Sequence, residues 1–239
     1  MSHDLTSSPT IQVNVSESLS SSDSAWPMVV SNFAWQHMKS ATIFRREVRR
    51  LETEHLDEPL GPFWEEIRSY ASSCIMAATA SLEAFINEMF IAPNCGLRSQ
   101  MPDFEVEFWG KNGIEQEKIL KKYQLALIKL NKEQFDKKSL LYQDATALIE
   151  LRNALVHYKP TWDPDRRRKV ELVELLKGRF EISPFSIDSA DFVTFKCMGN
   201  GCATWAVATT FGIMREFSSR TSVDPDKMRG FWLLEDSAK

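Results

Sequence analysis

An arginine, an asparagine and a histidine fall within six residues in the run Leu151-Arg-Asn-Ala-Leu-Val-His-Tyr-Lys-Pro160. Arginine holds a phosphate through permanent charge and a planar fork of N–H donors. Histidine is the side chain best suited to moving a proton near neutral pH. Arg152 and His157 therefore supply what cleavage of a phosphodiester requires: a clamp for the anion and an acid or base beside it.

Spacing alone carries little weight, because the chain repeats it in Arg50-Leu-Glu-Thr-Glu-His55. With 29 Lys and Arg and 4 His, about one such match is expected by chance. Context separates the two copies. Arg50 stands among Arg45, Arg46, Arg49, Glu52, Glu54, Asp57 and Glu58, the pattern of a solvated helix face crossed by ion pairs. Arg152 instead shares an apolar stripe with Leu148 and Leu155. A charge there needs a carboxylate, a cleft or a second subunit, since an unpaired buried charge is costly. Asn153 and His157 lie four apart and share a face, while Arg152 sits about 140° around the helix from His157. Pro160 must stop the helix, and the negative end of a helix favours protonated imidazole. The residues alone leave two readings open. One is a phosphodiester site. In the other, Arg152 pairs with Glu83, Glu88 or Glu150 and His157 closes the helix over its last carbonyls.

The elements that must position these residues are mostly helical by pattern. Apolar residues recur at spacings of three and four over 26–57, with Val30, Phe33, Ala34, His37, Ala41, Phe44 and Val48 as the stripe. A second helix is predicted over 62–91, carrying Trp64, Ile67, Ala71, Cys74, Ala78, Leu82, Phe85 and Met89, and Pro93, Asn94 and Gly96 end it. A looser stretch spans 97–113. A third helix covers 114–130 through Ile119, Tyr123, Ala126, Leu127 and Leu130, and a fourth covers 139–159 through Leu141, Ala145, Leu148, Arg152 and Leu155. After Pro160 a short basic amphipathic helix runs to Gly178, 180–197 reads as an extended excursion or small hairpin, and helical character resumes over 203–219. The expected fold is all-α: a bundle of four main helices over 26–160, with a mixed C-terminal extension over 161–239 packed on it. Residues 1–25 are rich in serine and poor in large apolar groups, as in a disordered tail, although Ile11 to Val15 alternates like a short strand.

Composition narrows the function classes. Apolar residues make up 43% and charged residues 26% of the 239, an ordinary globular balance. A formal net charge of −4 excludes a surface coated for non-specific nucleic-acid binding but leaves room for a local basic cleft. The four cysteines are spaced too irregularly for a disulfide framework. Cys197 and Cys202 would be half of a zinc site, and no second close Cys/His pair completes it. The longest apolar window, 71–92, contains Glu83, Asn87 and Glu88, so it reads as a buried helix and no membrane partner is expected. With no leader visible, the expected location is cytoplasmic.

The Arg-Asn-Ala-Leu-Val-His run, late in the fourth helix of a bundle, resembles the R-x4-6-H signature of the HEPN superfamily. In that group a polar residue, often asparagine, follows the arginine directly, as Asn153 does here. A second likeness lies in Ala77-Ala-Thr-Ala-Ser-Leu-Glu-Ala-Phe-Ile-Asn87, similar to the long second helix of HEPN proteins with its Leu-Glu-Ala-apolar-apolar-Asn run. The resemblance covers 26–160 and leaves the tail and the region after Pro160 unexplained. It implies a helical domain that dimerises, with both Arg/His motifs meeting at the two-fold interface. Members that keep the motif are often metal-independent endoribonucleases, including toxins, abortive-infection proteins and CRISPR-associated effectors. Others bind nucleotides or act as scaffolds. On this resemblance Arg152, Asn153 and His157 are the catalytic candidates, and Glu83 and Asn87 stand behind them as the groups that hold Arg152. Arg166, Arg167, Arg168 and Lys169 are candidate RNA-backbone contacts, although a solvated helix face is the plainer reading of that run. No metal or other cofactor is expected. The expected partners are RNA, a second copy of the chain and an antitoxin protein.

Overall fold

The computed structural model describes residues 33–91, 97, 113–158, 166–187 and 191–222, all within the compact unit Asn32–Lys239. The serine-rich tail, the Ile11–Val15 alternation and the start of the first predicted helix lie outside them. So do Pro93, Asn94 and Gly96, most of the stretch 97–113, and Pro160.

Among the described residues six α-helices carry the fold: α1 (Phe33–Glu54), α2 (Phe63–Ile91), α3 (Ile119–Lys129), α4 (Leu140–Val156), α5 (Arg166–Leu176) and α6 (Asn200–Thr221). No strand occurs among the described residues, so the all-α class holds. The expected extension or hairpin over 180–197 contains a π-helical turn, Phe192–Lys196. Asp191 explains that turn locally, since its carboxylate accepts from both the N–H and the hydroxyl of Thr194, at 2.9 and 3.1 Å. The predicted third helix divides into a 3-10 turn, Ile114–Gln116, and α3.

The packing of α1, α2 and α6 shows why their small residues matter. Ala34, Ala41, Ala71, Ala78, Ala203 and Ala206 are all fully buried. With only a methyl group between backbones, side chains on one helix reach carbonyls on the next. The Ser81 hydroxyl donates to the Ala34 carbonyl at 2.7 Å, the Thr210 hydroxyl to Ala78 at 3.3 Å, and the Cys74 thiol to Ala41 at 3.3 Å. Gly212 on α6 leaves room for Leu141 of α4, whose Cδ1 would lie 2.6 Å from any Cβ there. Thus α6 joins the same core cluster as α1, α2 and α4. The reading of everything after Pro160 as a mixed layer on a four-helix bundle is corrected on this point. The periodicity of 203–219 reveals a helix but not its neighbours, so an integral core helix passes for an appendage.

Two helix N-termini are capped from neighbouring helices. Glu88 of α2 accepts the N–H of Ala34 at 2.9 Å, and Glu52 of α1 accepts the N–H of Asn200 at 2.9 Å. The latter supplies what Gly199, the residue preceding α6, cannot. Burial pushes both carboxyls above their ordinary value, and these same hydrogen bonds oppose the shift. At the other end of the bundle an aromatic cluster fixes α3. Tyr123 is buried edge-on to Phe217 at 5.0 Å and donates its hydroxyl to the Leu82 carbonyl at 2.8 Å. Gln124 pairs with the backbone of Phe135 through both ends of its amide, at 2.9 and 3.0 Å, which pins the chain between α3 and α4.

Candidate functional site

Helix α4 positions the motif. Ser139 starts it by accepting the N–H of Tyr142 at 3.3 Å. Ala145, Ala147, Leu148 and Leu151 face the core, and an ion pair between Asp144 and Arg179 ties α4 to the chain that follows α5. The helix ends at Val156. His157 follows with φ −105° and ψ 37°, out of helical geometry, and its N–H is held by the Asn153 carbonyl at 2.9 Å. The backbone of His157, not its ring, makes this closing hydrogen bond.

Arg152 is half-buried beside α2. Its Nη2 stands 3.8 Å from Glu83 Oε2, with 28% and 42% of the two side chains exposed. That contact is a charge pair too long for a good hydrogen bond. The Nε–H of Arg152 is buried and meets no acceptor. The side chains of Asn153 and His157 form no hydrogen bond with any described residue, and His157 is exposed. Val156 and Tyr158, flanking His157, are 51% and 49% exposed, so apolar surface surrounds the histidine. Chemically, the end of α4 offers a guanidinium with donors to spare, an amide and an imidazole that no described residue engages, next to a surface that water covers at a cost.

Of the other residues the sequence singled out, Glu83 does meet Arg152. Asn87 does not, because its Oδ1 accepts from Lys122 Nζ of α3 at 2.9 Å. Glu88, an alternative partner for Arg152, is committed to the start of α1. Arg166, Arg167, Arg168 and Lys169 form the first turn of α5, and their side chains lie outside the described residues. Cys74, Cys197 and Cys202 are free and buried, and burial holds the Cys202 thiol well above its ordinary value, with Cys197 and Cys74 acting in the same direction. Among the described residues no group of three or more His, Cys, Asp and Glu side chains is arranged to hold a metal.

The Arg50 copy is different. Arg50 bonds Glu47 at 2.9 Å and Glu54 at 2.6 Å on the surface of α1. His55 bonds Glu58 at 3.0 Å and stacks flat on Phe63, with ring centroids 4.3 Å apart. Ion pairs cross this face at Arg50 and His55, whereas Glu52 turns to Asn200 and Arg45 departs from the expectation altogether. Arg45, grouped by sequence with the solvated residues, is buried on the stripe of Met38, Ala41 and Val48. Its position seven and four residues after Met38 and Ala41 and three before Val48 was the available signal.

Class and site together define an all-α protein with a phosphate-compatible Arg/Asn/His group at the end of one helix. No helix among the described residues is long and apolar enough to cross a membrane. Compared with known proteins, the chain matches no family model, no curated protein and no solved structure.

Proposed function

We propose that the chain is a metal-independent endoribonuclease of HEPN type, acting as a homodimer in toxin or anti-phage defence. One observation carries the reading: at the end of α4 the donors of Arg152, the amide of Asn153 and the imidazole of His157 are left without saturating partners among the described residues. The contrast is with Arg50 and His55, where every charge is met.

In this mechanism Arg152 binds the scissile phosphate and stabilises the charge that grows on its oxygens. The ribose 2′-oxygen attacks the adjacent phosphorus, and the bond to the 5′-oxygen breaks. His157 takes the 2′-hydroxyl proton or delivers a proton to the leaving 5′-oxygen, and the same residue of a second copy performs the other task. Asn153 orients the phosphate or the ring. The products are a 2′,3′-cyclic phosphate and a 5′-hydroxyl, and DNA is spared because it lacks the nucleophile. An antitoxin protein would act by covering the exposed end of α4.

The reading is tested by incubating the purified dimer with mixed RNA in EDTA and identifying the new ends. Cyclic phosphate and 5′-hydroxyl termini are expected. 5′-phosphate ends, or intact RNA, would refute the mechanism. The Arg152–Glu83 contact favours a second reading, a non-catalytic HEPN-like module that dimerises or binds a nucleotide or protein, with Arg152 as a structural ion pair. Intact RNA with a stable dimer selects it.

A further inference from the structure

Arg45 extends the stripe by which α1 enters the core, and only 6% of it is exposed. Its Nε–H is buried and meets no acceptor, and no described residue forms an ion pair with its guanidinium. Among the described residues, the acidic neighbours of Arg45 along α1 are engaged and the Cys74 thiol beside it is neutral. Glu47 is turned to Arg50 at 2.9 Å, and Glu52 accepts the Asn200 N–H. The Cys74 thiol donates to the Ala41 carbonyl, and burial pushes its pKa up to about 12, so it remains protonated at neutral pH. Two of the charges that reach Arg45, those of Arg46 and Arg49, are of its own sign. Burial is the main cause lowering its proton affinity. Cys74 opposes that, and Arg49 and Arg46 add to it. Both of these arginines are exposed and form no ion pair with a described residue.

On the helix, Arg49 and Arg46 stand about 40° and 100° around from Arg45 and within one turn of it. Three guanidiniums at one corner, one of them buried without a counter-ion among the described residues, form an arrangement that an anion relieves twice, by pairing the buried donor and by damping the repulsion. We propose that Arg45, Arg46 and Arg49 form a binding site for a terminal phosphate group carried by a small molecule. A terminal phosphate presents three oxygens and up to two charges to a recessed donor. A backbone diester presents two free oxygens and one charge, and suits exposed arginines alone.

Thermal melting of the full chain in sodium phosphate, against sodium chloride at matched ionic strength, tests the site. The wild type should gain about 3–6 °C at saturating phosphate. Phosphate also stabilises proteins by exclusion from their surface, so the deciding quantity is the gain beyond that of Arg45→Met. This variant keeps an unbranched side chain in the slot and should lose the specific gain. The double variant Arg46→Gln/Arg49→Gln alters only exposed positions and should lose most of it, so the test survives if Arg45→Met fails to fold. Arg50→Gln, on the paired side of α1, should keep the whole gain. Adenosine 5′-monophosphate should reproduce the effect and adenosine should not. An equal gain in wild type and both cluster variants, or no gain in the wild type, overturns the site. So does an Arg45-dependent gain seen only with a single-stranded oligothymidylate, which would mark a polymer-binding surface instead.

Discussion

The ends of α1 and α4 carry the same spacing of arginine and histidine and have opposite characters. At the end of α1 both members of the motif are consumed by structure, Arg50 by two glutamates and His55 by Glu58 and Phe63, and the neighbouring Glu52 holds the first N–H of α6. At the end of α4 the arginine has one long contact, while the asparagine and histidine side chains have none among the described residues. A motif is therefore judged by which of its hydrogen-bonding positions remain open. Saturated groups hold a fold together, whereas open ones are available to a ligand.

The largest expected effect tests that contrast directly. Arg152→Ala and His157→Ala should each lower RNA cleavage by about 100-fold or more, the usual cost of losing a charge clamp or a proton-transfer group. Arg50→Ala and His55→Ala should stay within about twofold on the same RNA in EDTA. Similar losses in both pairs would erase the distinction.

The next effect belongs to the α1 end. Glu52→Ala removes the cap of α6 and should lower stability by about 1–2 kcal/mol in chemical denaturation. Glu52→Gln keeps an acceptor oxygen and should be far milder. The pH dependence has a definite sign. Burial raises the Glu52 carboxyl above its ordinary value, so folded protein retains a proton that the unfolded chain has already released. Wild type should therefore lose stability relative to Glu52→Gln as pH rises through the interval just above the ordinary carboxylate value. Below that interval the difference should vanish. A difference that grows on acidification would contradict the buried, proton-retaining carboxyl.

A smaller effect sharpens the role of Arg152. The Arg152–Glu83 pair is long and partly exposed, so Glu83→Gln should change stability by less than about 1 kcal/mol. In the endoribonuclease reading cleavage survives this change, because the phosphate takes over as the arginine's counter-ion. A large stability loss would favour the structural role instead. The smallest effect is expected at Arg50→Ala, whose pairs are exposed and lie within one helix, and it should fall below that of Glu83→Gln in the same denaturation measurement.

Much of the architecture was legible because it rests on local rules. The apolar periods mark α1, α2 and α4 to within a few residues, apart from the part of the first helix outside the described residues. Ser139 announces the start of α4, as an N-cap serine should. The interpretation of 180–197 was less successful. A segment rich in Phe, Ile, Ser and Asp reads as an extended excursion or small hairpin, and within it Asp191 caps a π-helical turn at Phe192–Lys196. The site divides in the same way. The contact of Glu83 with Arg152 was among the expected pairings, but that of Asn87 with Lys122 was not, since it spans 35 residues and two helices.

By itself the sequence determined which segments are helical, where α4 begins, and that Arg152, Asn153 and His157 gather at its C-terminal end. Helix periodicity and capping act within a few residues, so they are written locally. Only the tertiary structure decided that α6 belongs to the core, that glutamates of neighbouring helices cap α1 and α6, and that Arg45 is buried while Arg50 is not. Those outcomes depend on which faces meet. The same residue type, five positions apart on one helix, becomes a buried cation with no ion pair among the described residues or a solvated ion pair, according to the neighbour the fold turns towards it.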